Sequence, residues 1–267
     1  MATHKRTPPH RGPGLLYIIA ALVVVAVAGA RFFGFSPGGD GPGRVAPRPP
    51  AAQPGEERAP GGILPDPARM TQVIVYHTHA TENYSPKEAH ATRGPGDVVA
   101  VGEAFVRALE KEGVAAVHIQ TVHDLPQWSQ AYDRARTSVQ ESLSRHKGIR
   151  VLVDIHRDGV ERESPGFATA TVNGEKVAKV LLVVGTTDNP LAAENLRFAN
   201  RLQQTLEELA PGITRGVRVM ARETNQDVHP NAVVAYVGDH KENTFEEAVR
   251  TAELLARAVA ELLREDG

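Results

Sequence analysis

The chain has 267 residues, a formal net charge of -2 and no cysteine. Lys and Arg are scattered among Asp and Glu, which excludes the basic footprint of a nucleic-acid binder. Without Cys there is no disulfide framework and no thiolate metal site, so any metal must be held by His, Asp, Glu or water.

Residues 1–13 are basic and Pro-rich, with Lys5, Arg6 and Arg11. Gly14–Ala30 then runs without a charge, at the short end of the roughly 17–25 apolar residues that span a bilayer. Phe32, Phe33 and Phe35 extend it, so a transmembrane anchor is expected over 14–35. The positive charges precede it, which predicts a cytoplasmic N-terminus and an exported remainder on the outer side of the cytoplasmic membrane. Ala28-Gly29-Ala30 also fits a signal-peptide cleavage site, and a cleaved signal is the rival expectation. Residues 36–68 are rich in Gly, Pro and Ala, with too little apolar surface to offset the entropy of ordering. They read as a disordered linker.

Residues 69–267 alternate strand and helix. Val73–Tyr76 reads as a buried strand, and Val98–Glu112 as a helix with Val101, Phe105, Ala108 and Leu109 on one face. Val114–Ile119 is a strand, Ser129–His146 a polar helix, and Val151–Ile155 a strand with apolar residues at successive positions, as one covered on both faces should have. Asn173-Gly174 marks a hairpin between Phe167–Val172 and Lys176–Val184. Leu191–Leu209 is a helix, and Val217–Ala221 and Ala232–Val237 are strands. Thr244–Leu263 closes the chain as an amphipathic helix, with Thr244 and Glu247 forming a capping box. The alternation predicts an α/β fold with a largely parallel central sheet and flanking helices. No phosphate-cradling GxxxxGK[ST] or GxGxxG motif is present.

Two strand ends carry the chemistry. Val73–Tyr76 runs into His77, Thr78 and His79, with Glu82 behind. Val151–Ile155 runs into His156, between Asp154 and Asp158. In open α/β sheets, sites are built where the chain leaves the carboxyl ends of strands, and two imidazoles with a carboxylate suit Zn²⁺. His79, later in the turn, is preferred to His77 as a ligand, and Glu82 to Glu88. Asp154 shares the face of His156 and is placed to orient its imidazole; Asp158 is placed to do so too, or to pair with Arg157 at the surface. The remaining histidines of the domain, His118 and His123 among them, read as surface residues. Asn225, Gln226 and Asp227 precede the last strand and are candidates for binding a polar substrate, with a plain turn as the alternative.

Taken together, these segments resemble the stage II sporulation protein P family of membrane-anchored cell-wall hydrolases. The resemblance rests on YHTHATENY (Tyr76–Tyr84), DIHRD (Asp154–Asp158), GTTDNPLAAENLRFA (Gly185–Ala199), GITRG (Gly212–Gly216), NQD (Asn225–Asp227) and ENTFEEA (Glu242–Ala248), in family order. It implies a fold like that of zinc-dependent N-acetylmuramoyl-L-alanine amidases, with His79, Glu82 and His156 as metal ligands. It implies peptidoglycan as substrate, amidase or lytic transglycosylase chemistry during forespore engulfment, and stage II sporulation proteins D and M as partners. Where the family pattern has a proton-carrying Glu near the end of the last strand, this chain has Tyr236, and a phenol is a poor base at neutral pH. Asp158, Asp227, Asp239 and Glu242 are the candidate substitutes. The alternative expectation is a member that binds wall or partner proteins without cleaving.

Overall fold

The computed structural model describes residues 70–159 and 164–266. The anchor expected over 14–35 and the linker over 36–68 lie outside the described residues. Among the described residues, no helix is long and apolar enough to cross a membrane.

The strands are Val73–Tyr76 (β1), Ala116–His118 (β2), Val151–Asp158 (β3), Thr169–Val172 (β4), Glu175–Ala178 (β5), Val180–Gly185 (β6), Thr214–Met220 (β7) and Ala232–Asp239 (β8). The helices are Asp97–Lys111 (α1), Ala131–Arg145 (α2), Ala192–Leu209 (α3) and Phe245–Glu265 (α4). Six strands form one sheet in the order β2-β1-β3-β8-β6-β7. Neighbours run parallel except β6 against β8. The exception has a topological cause: between β3 and β6 the chain makes the β4–β5 hairpin rather than a helical crossover, so it returns in the opposite direction.

Alternation along the strands sorts side chains to two faces. Val73, Val75, Val153, Ile155, Val233 and Ala235 belong to the large core with residues of α1, α3 and α4. Ile74, Tyr76 and Leu152 pack with Ala135 and Val139 of α2 on the opposite face. Cover on both faces is why β1 and the start of β3 are apolar at successive positions. The expected capping box of α4 is present: Thr244 accepts from the Glu247 N–H and the Glu247 side chain returns to the Thr244 N–H.

Two expected strands are revised. Lys176–Val184 is not one strand. Glu175–Ala178 pairs only with β4, and the chain switches sheets at Lys179, whose N–H donates to the Ala168 carbonyl at 2.7 Å while its own carbonyl accepts from Gly238. The hairpin turn itself is as expected, with Asn173 and Gly174 at φ 52 and 83, the left-handed pair of a type I′ turn. β3 continues three residues past Ile155 because its polar residues find buried partners, so His156 sits within the strand and not in a loop after it.

Candidate metal centre

β1 ends at Tyr76, and the chain turns at once. Extended geometry, which would put His77 and His79 on the same side, does not persist past Tyr76. His77 stays on the α1 face, where its Nδ1–H donates to the Ile155 carbonyl at 2.9 Å. Its Nε2 then accepts from His118 Nε2 at 2.9 Å, and Gln120 Nε2 lies 3.1 Å from His118 Nδ1. Burial, then the charge of His118, lowers the His77 pKa to about 3. His77 is thus a neutral structural group. His118 is its partner, and His123 is buried as well, bonded to the His77 carbonyl at 2.8 Å; neither is the plain surface residue the sequence suggested.

His79 goes the other way, over the end of the sheet toward α2. Its ring stacks on Trp128 with centroids 3.8 Å apart and planes 12° from parallel. It meets Tyr132 edge-on at 5.6 Å and His156 edge-on at 5.2 Å. Burial, then the charge of His156, lowers its pKa to about 4, which keeps the imidazole neutral as a metal ligand requires.

Glu82 is buried, and the turn carrying it is tied to the start of α1: Gly96 N–H donates to the Ala80 carbonyl and Val98 N–H to the Glu82 carbonyl. A Cβ at Gly96 would lie 2.3 Å from the Thr81 carbonyl oxygen and 2.4 Å from that of Glu82, so only glycine permits this approach. The Glu82 carboxylate accepts from the Arg157 N–H at 3.1 Å. Burial would raise its pKa, but His156 and Arg157 outweigh burial and hold it low. Arg157 is no surface partner of Asp158; it is buried and donates to the carbonyls of Asn83 and Ala89. Glu88 is exposed and outside the cluster.

His156 sits between two carboxylates. Nδ1 is 3.2 Å from Glu82 Oε2, and Nε2 is 3.0 Å from Asp154 Oδ1. Neither contact has the direction of a hydrogen bond, and both ring nitrogens are buried without a hydrogen-bonded partner. Asp154 is fixed by Thr78, whose N–H and hydroxyl donate to its two oxygens at 2.9 and 2.6 Å. Burial would lower the His156 pKa, but the charges of Asp154 and Glu82 raise it well above the ordinary value. One donor atom each from His79, Glu82 and His156 lies within 4.8 Å of the others. Buried ring nitrogens lacking hydrogen bonds, in a His₂Glu donor set, fit a zinc ion with its fourth position open. Asp154 stands where an orienting carboxylate belongs.

Tyr236 lies directly opposite His156 in the β3–β8 pairing, on the same face, with ring centroids 5.5 Å apart. Its hydroxyl accepts from Arg222 at 3.3 Å. The other expected residues have duties elsewhere. Asp158 pairs with Arg215 at 2.8 Å and accepts from the Gly159 N–H. Asp227 is held by both guanidinium nitrogens of Arg136. Asn225 donates to the Tyr132 carbonyl. Gln226 is buried and bridges strands, donating to the carbonyls of Val183 and Ala232 and accepting from the Gly185 N–H. Gln226 therefore braces the sheet, and Asn225 ties its turn to α2. Glu242 accepts from the Ala168 N–H, and Asp239 accepts from the Lys241 N–H. Among the described residues none of these four acids, Asp158, Asp227, Asp239 and Glu242, joins the cluster. Trp128 was missed from sequence, although a single tryptophan in the chain, placed two residues after Pro126 between Gln127 and Ser129, is itself a signal.

Fold and site together define an α/β domain with a histidine–glutamate–histidine cluster gathered from two adjacent parallel strands. Residues 55–260 match the family described as Stage II sporulation protein P (SpoIIP), and the chain belongs to that family. It is 29% identical over 221 residues to Stage II sporulation protein P of Bacillus subtilis (strain 168). That alignment covers 74% of this chain and 53% of the relative, so the chain spans about half the length of the curated protein it matches. Among solved structures, the CwlD amidase from Clostridioides difficile in complex with the GerS lipoprotein is similar at TM-score 0.49 and 12% identity, over 72% of this chain and 100% of that one. N-acetylmuramoyl-L-alanine amidase AmiC2 of Nostoc punctiforme is similar at TM-score 0.44 and 14% identity, over 73% of this chain and 99% of that one.

Proposed function

We propose that this chain is a zinc-dependent peptidoglycan hydrolase acting in sporulation, and that it cleaves the amide between muramic acid and the stem peptide. The convergence of His79, Glu82 and His156 within 4.8 Å, in a chain of the SpoIIP family, carries the reading. Bound zinc supplies Lewis-acid polarisation of a carbonyl and a water with its pKa lowered to about 7. The protein's own groups do the rest. Stacking on Trp128 fixes the plane of the His79 ring. Asp154, held by Thr78, lies 3.0 Å from His156 Nε2, within reach to orient the ring once the metal is bound. Arg157 aims the Glu82 carboxylate through its backbone N–H. The Tyr236 hydroxyl accepts from Arg222, which leaves its own proton available for donation to a substrate oxygen or leaving nitrogen.

The test is digestion of purified peptidoglycan by the full chain, with zinc and with chelator, scoring free stem peptides and anhydro-sugar ends separately. Stem-peptide release that disappears in His79→Ala and in His156→Ala is expected. A chain that binds no zinc and leaves the wall unchanged overturns the reading. Tyr236 in place of a carboxylate favours a second reading, a wall- or partner-binding member that no longer cleaves. Under it, the native chain releases nothing and Tyr236→Glu gains activity. The uncharged run Gly14–Ala30 behind a basic N-terminus supports anchoring of the domain on the outer side of the cytoplasmic membrane. Protease shaving of intact protoplasts should remove the domain; full protection would refute that topology. Stage II sporulation proteins D and M are the proposed partners, to be sought by co-purification of the full chain from sporulating cells.

A further inference from the structure

The side chains around the metal cluster differ sharply in chemistry from one side to the other. On one side lies Trp128, in the connection that follows β2 at one edge of the sheet. His79 stacks on its indole and His90 meets it edge-on with centroids 4.9 Å apart, yet the residue remains 48% exposed. That is a costly position for the chain's largest apolar side chain, and it is not a floppy one. Arg134 donates to the carbonyls of His123 and Leu125 at 3.2 and 2.7 Å and to the Gln130 side chain, so it staples the loop from beneath. Asp124 accepts from the Thr81 hydroxyl and N–H at 2.6 and 3.2 Å, which locks the same loop to the turn that carries His79 and Glu82. An exposed indole on a braced loop is a preformed apolar surface.

On the other side lies Arg222, which follows β7 at the opposite edge of the sheet. Its guanidinium reaches the Tyr236 hydroxyl at 3.3 Å and is exposed. Among the described residues it has no carboxylate within ion-pair distance, whereas Arg136, Arg157 and Arg215 each have one. Rings connect the two extremes in strand order: Trp128 on His79, His79 on His156, His156 on Tyr236, at 3.8, 5.2 and 5.5 Å.

We propose that the surface over the cluster is two-sided: the Trp128 indole seats a sugar ring, and the Arg222 guanidinium holds a carboxylate of the attached peptide. This inference rests on the hydrolase reading for its substrate class. A pyranose presents a face of C–H groups that stacks on an aromatic surface, and a guanidinium matches a carboxylate with paired donors. The bond joining saccharide to peptide then falls over His79 and His156, with its sugar half toward β2 and its peptide half toward β7. Trp128 and Arg222 are positioning residues that set the polarity of the substrate.

The chain's single tryptophan makes the sugar half directly observable. The full chain, purified with zinc, is titrated with chitotetraose and with the dipeptide L-alanyl-γ-D-glutamate. Millimolar chitotetraose should shift the Trp128 emission to the blue, equally in the native chain and in Arg222→Gln. Calorimetry should show dipeptide affinity falling by about tenfold or more in Arg222→Gln, while Trp128→Phe retains it. Emission unmoved by chitotetraose overturns the proposal, as does dipeptide affinity unchanged in Arg222→Gln. Neither titration requires turnover. A chain that binds both probes this way yet releases no muropeptide refutes the hydrolase reading alone. An active chain whose emission ignores the sugar refutes the two-sided surface alone.

Discussion

Replacing Asp154 by Asn removes one charge from the centre while leaving its shape. Asp154 is 1% exposed, its Oδ1 lies 3.0 Å from His156 Nε2, and Thr78 satisfies both oxygens. An Asn oxygen still accepts from the Thr78 N–H, so the fold should survive. With metal bound, His156 loses the carboxylate that orients its ring and raises its basicity. Losses of this kind cost about 10–100-fold in metal affinity, or roughly 1.4–2.7 kcal/mol. A second effect opposes the first. In the metal-free chain the charges of Asp154 and Glu82 raise the His156 pKa against burial, so a proton competes with the metal. Stability from that protonated site is fully present below the ordinary value of 6.5 and is lost as pH rises through the raised one. Asn weakens the proton as well as the metal. The affinity gap between native and variant should therefore be narrow at a pH near 6.5 and widen at a pH above the raised value, where less proton remains to displace. Chelator-competition titrations at the two pH values measure this. Equal zinc affinity, within about twofold at both, would refute the assigned role of Asp154.

Gly96→Ala should displace the Glu82 backbone, because its Cβ meets carbonyl oxygens at 2.3 and 2.4 Å; a loss of about 1–3 kcal/mol in stability should come with weaker zinc binding, and full retention of both would show that the turn has slack. The low His77 pKa, about 3 against 6.5, means that the unfolded state takes up more protons in acid, so this group's contribution is present above pH 6.5 and lost as pH falls. Melts of the metal-free chain should lose on the order of 3 kcal/mol from this group by about pH 4. His77→Gln should flatten that acid slope, and an unchanged slope would sink the assignment. Gln226→Ala should cost about 2–4 kcal/mol, because it strands the Val183 and Ala232 carbonyls and the Gly185 N–H. Its zinc affinity should hold, and a stable variant with impaired substrate binding would restore Gln226 to the site. Thr244→Ala should lower stability by about 1 kcal/mol through loss of the α4 cap, visible as a small drop in Tm with activity intact.

Much of the domain could be read from local pattern, because local pattern reports burial. β1 is apolar at four successive positions since both of its faces are covered, and that is visible without knowing what covers them. The α4 cap and the Asn173-Gly174 turn depend on residues a few positions apart, so they too are local. The candidacy of His79, Glu82 and His156 follows from residue type at strand ends, and Tyr236 could be marked as a departure from pattern in the same way.

What the linear order left open was which of those residues meet. His77 and His79 differ by two positions, yet one is sealed against α1 and the other joins the cluster, because the chain stops being extended at Tyr76. Glu82 reaches His156 only because Gly96 lets the turn settle on α1 and Arg157 is buried beneath it. Gln226 carries the same polar atoms as a ligand-binding amide, but three backbone groups from other segments claim them. Trp128 comes to lie on His79 because a loop braced by Arg134 is tied to the metal turn through Asp124 and Thr81. Residue type sets what a side chain can bond to; the packing of segments far apart in the chain decides which partner arrives first and whether water is left to compete.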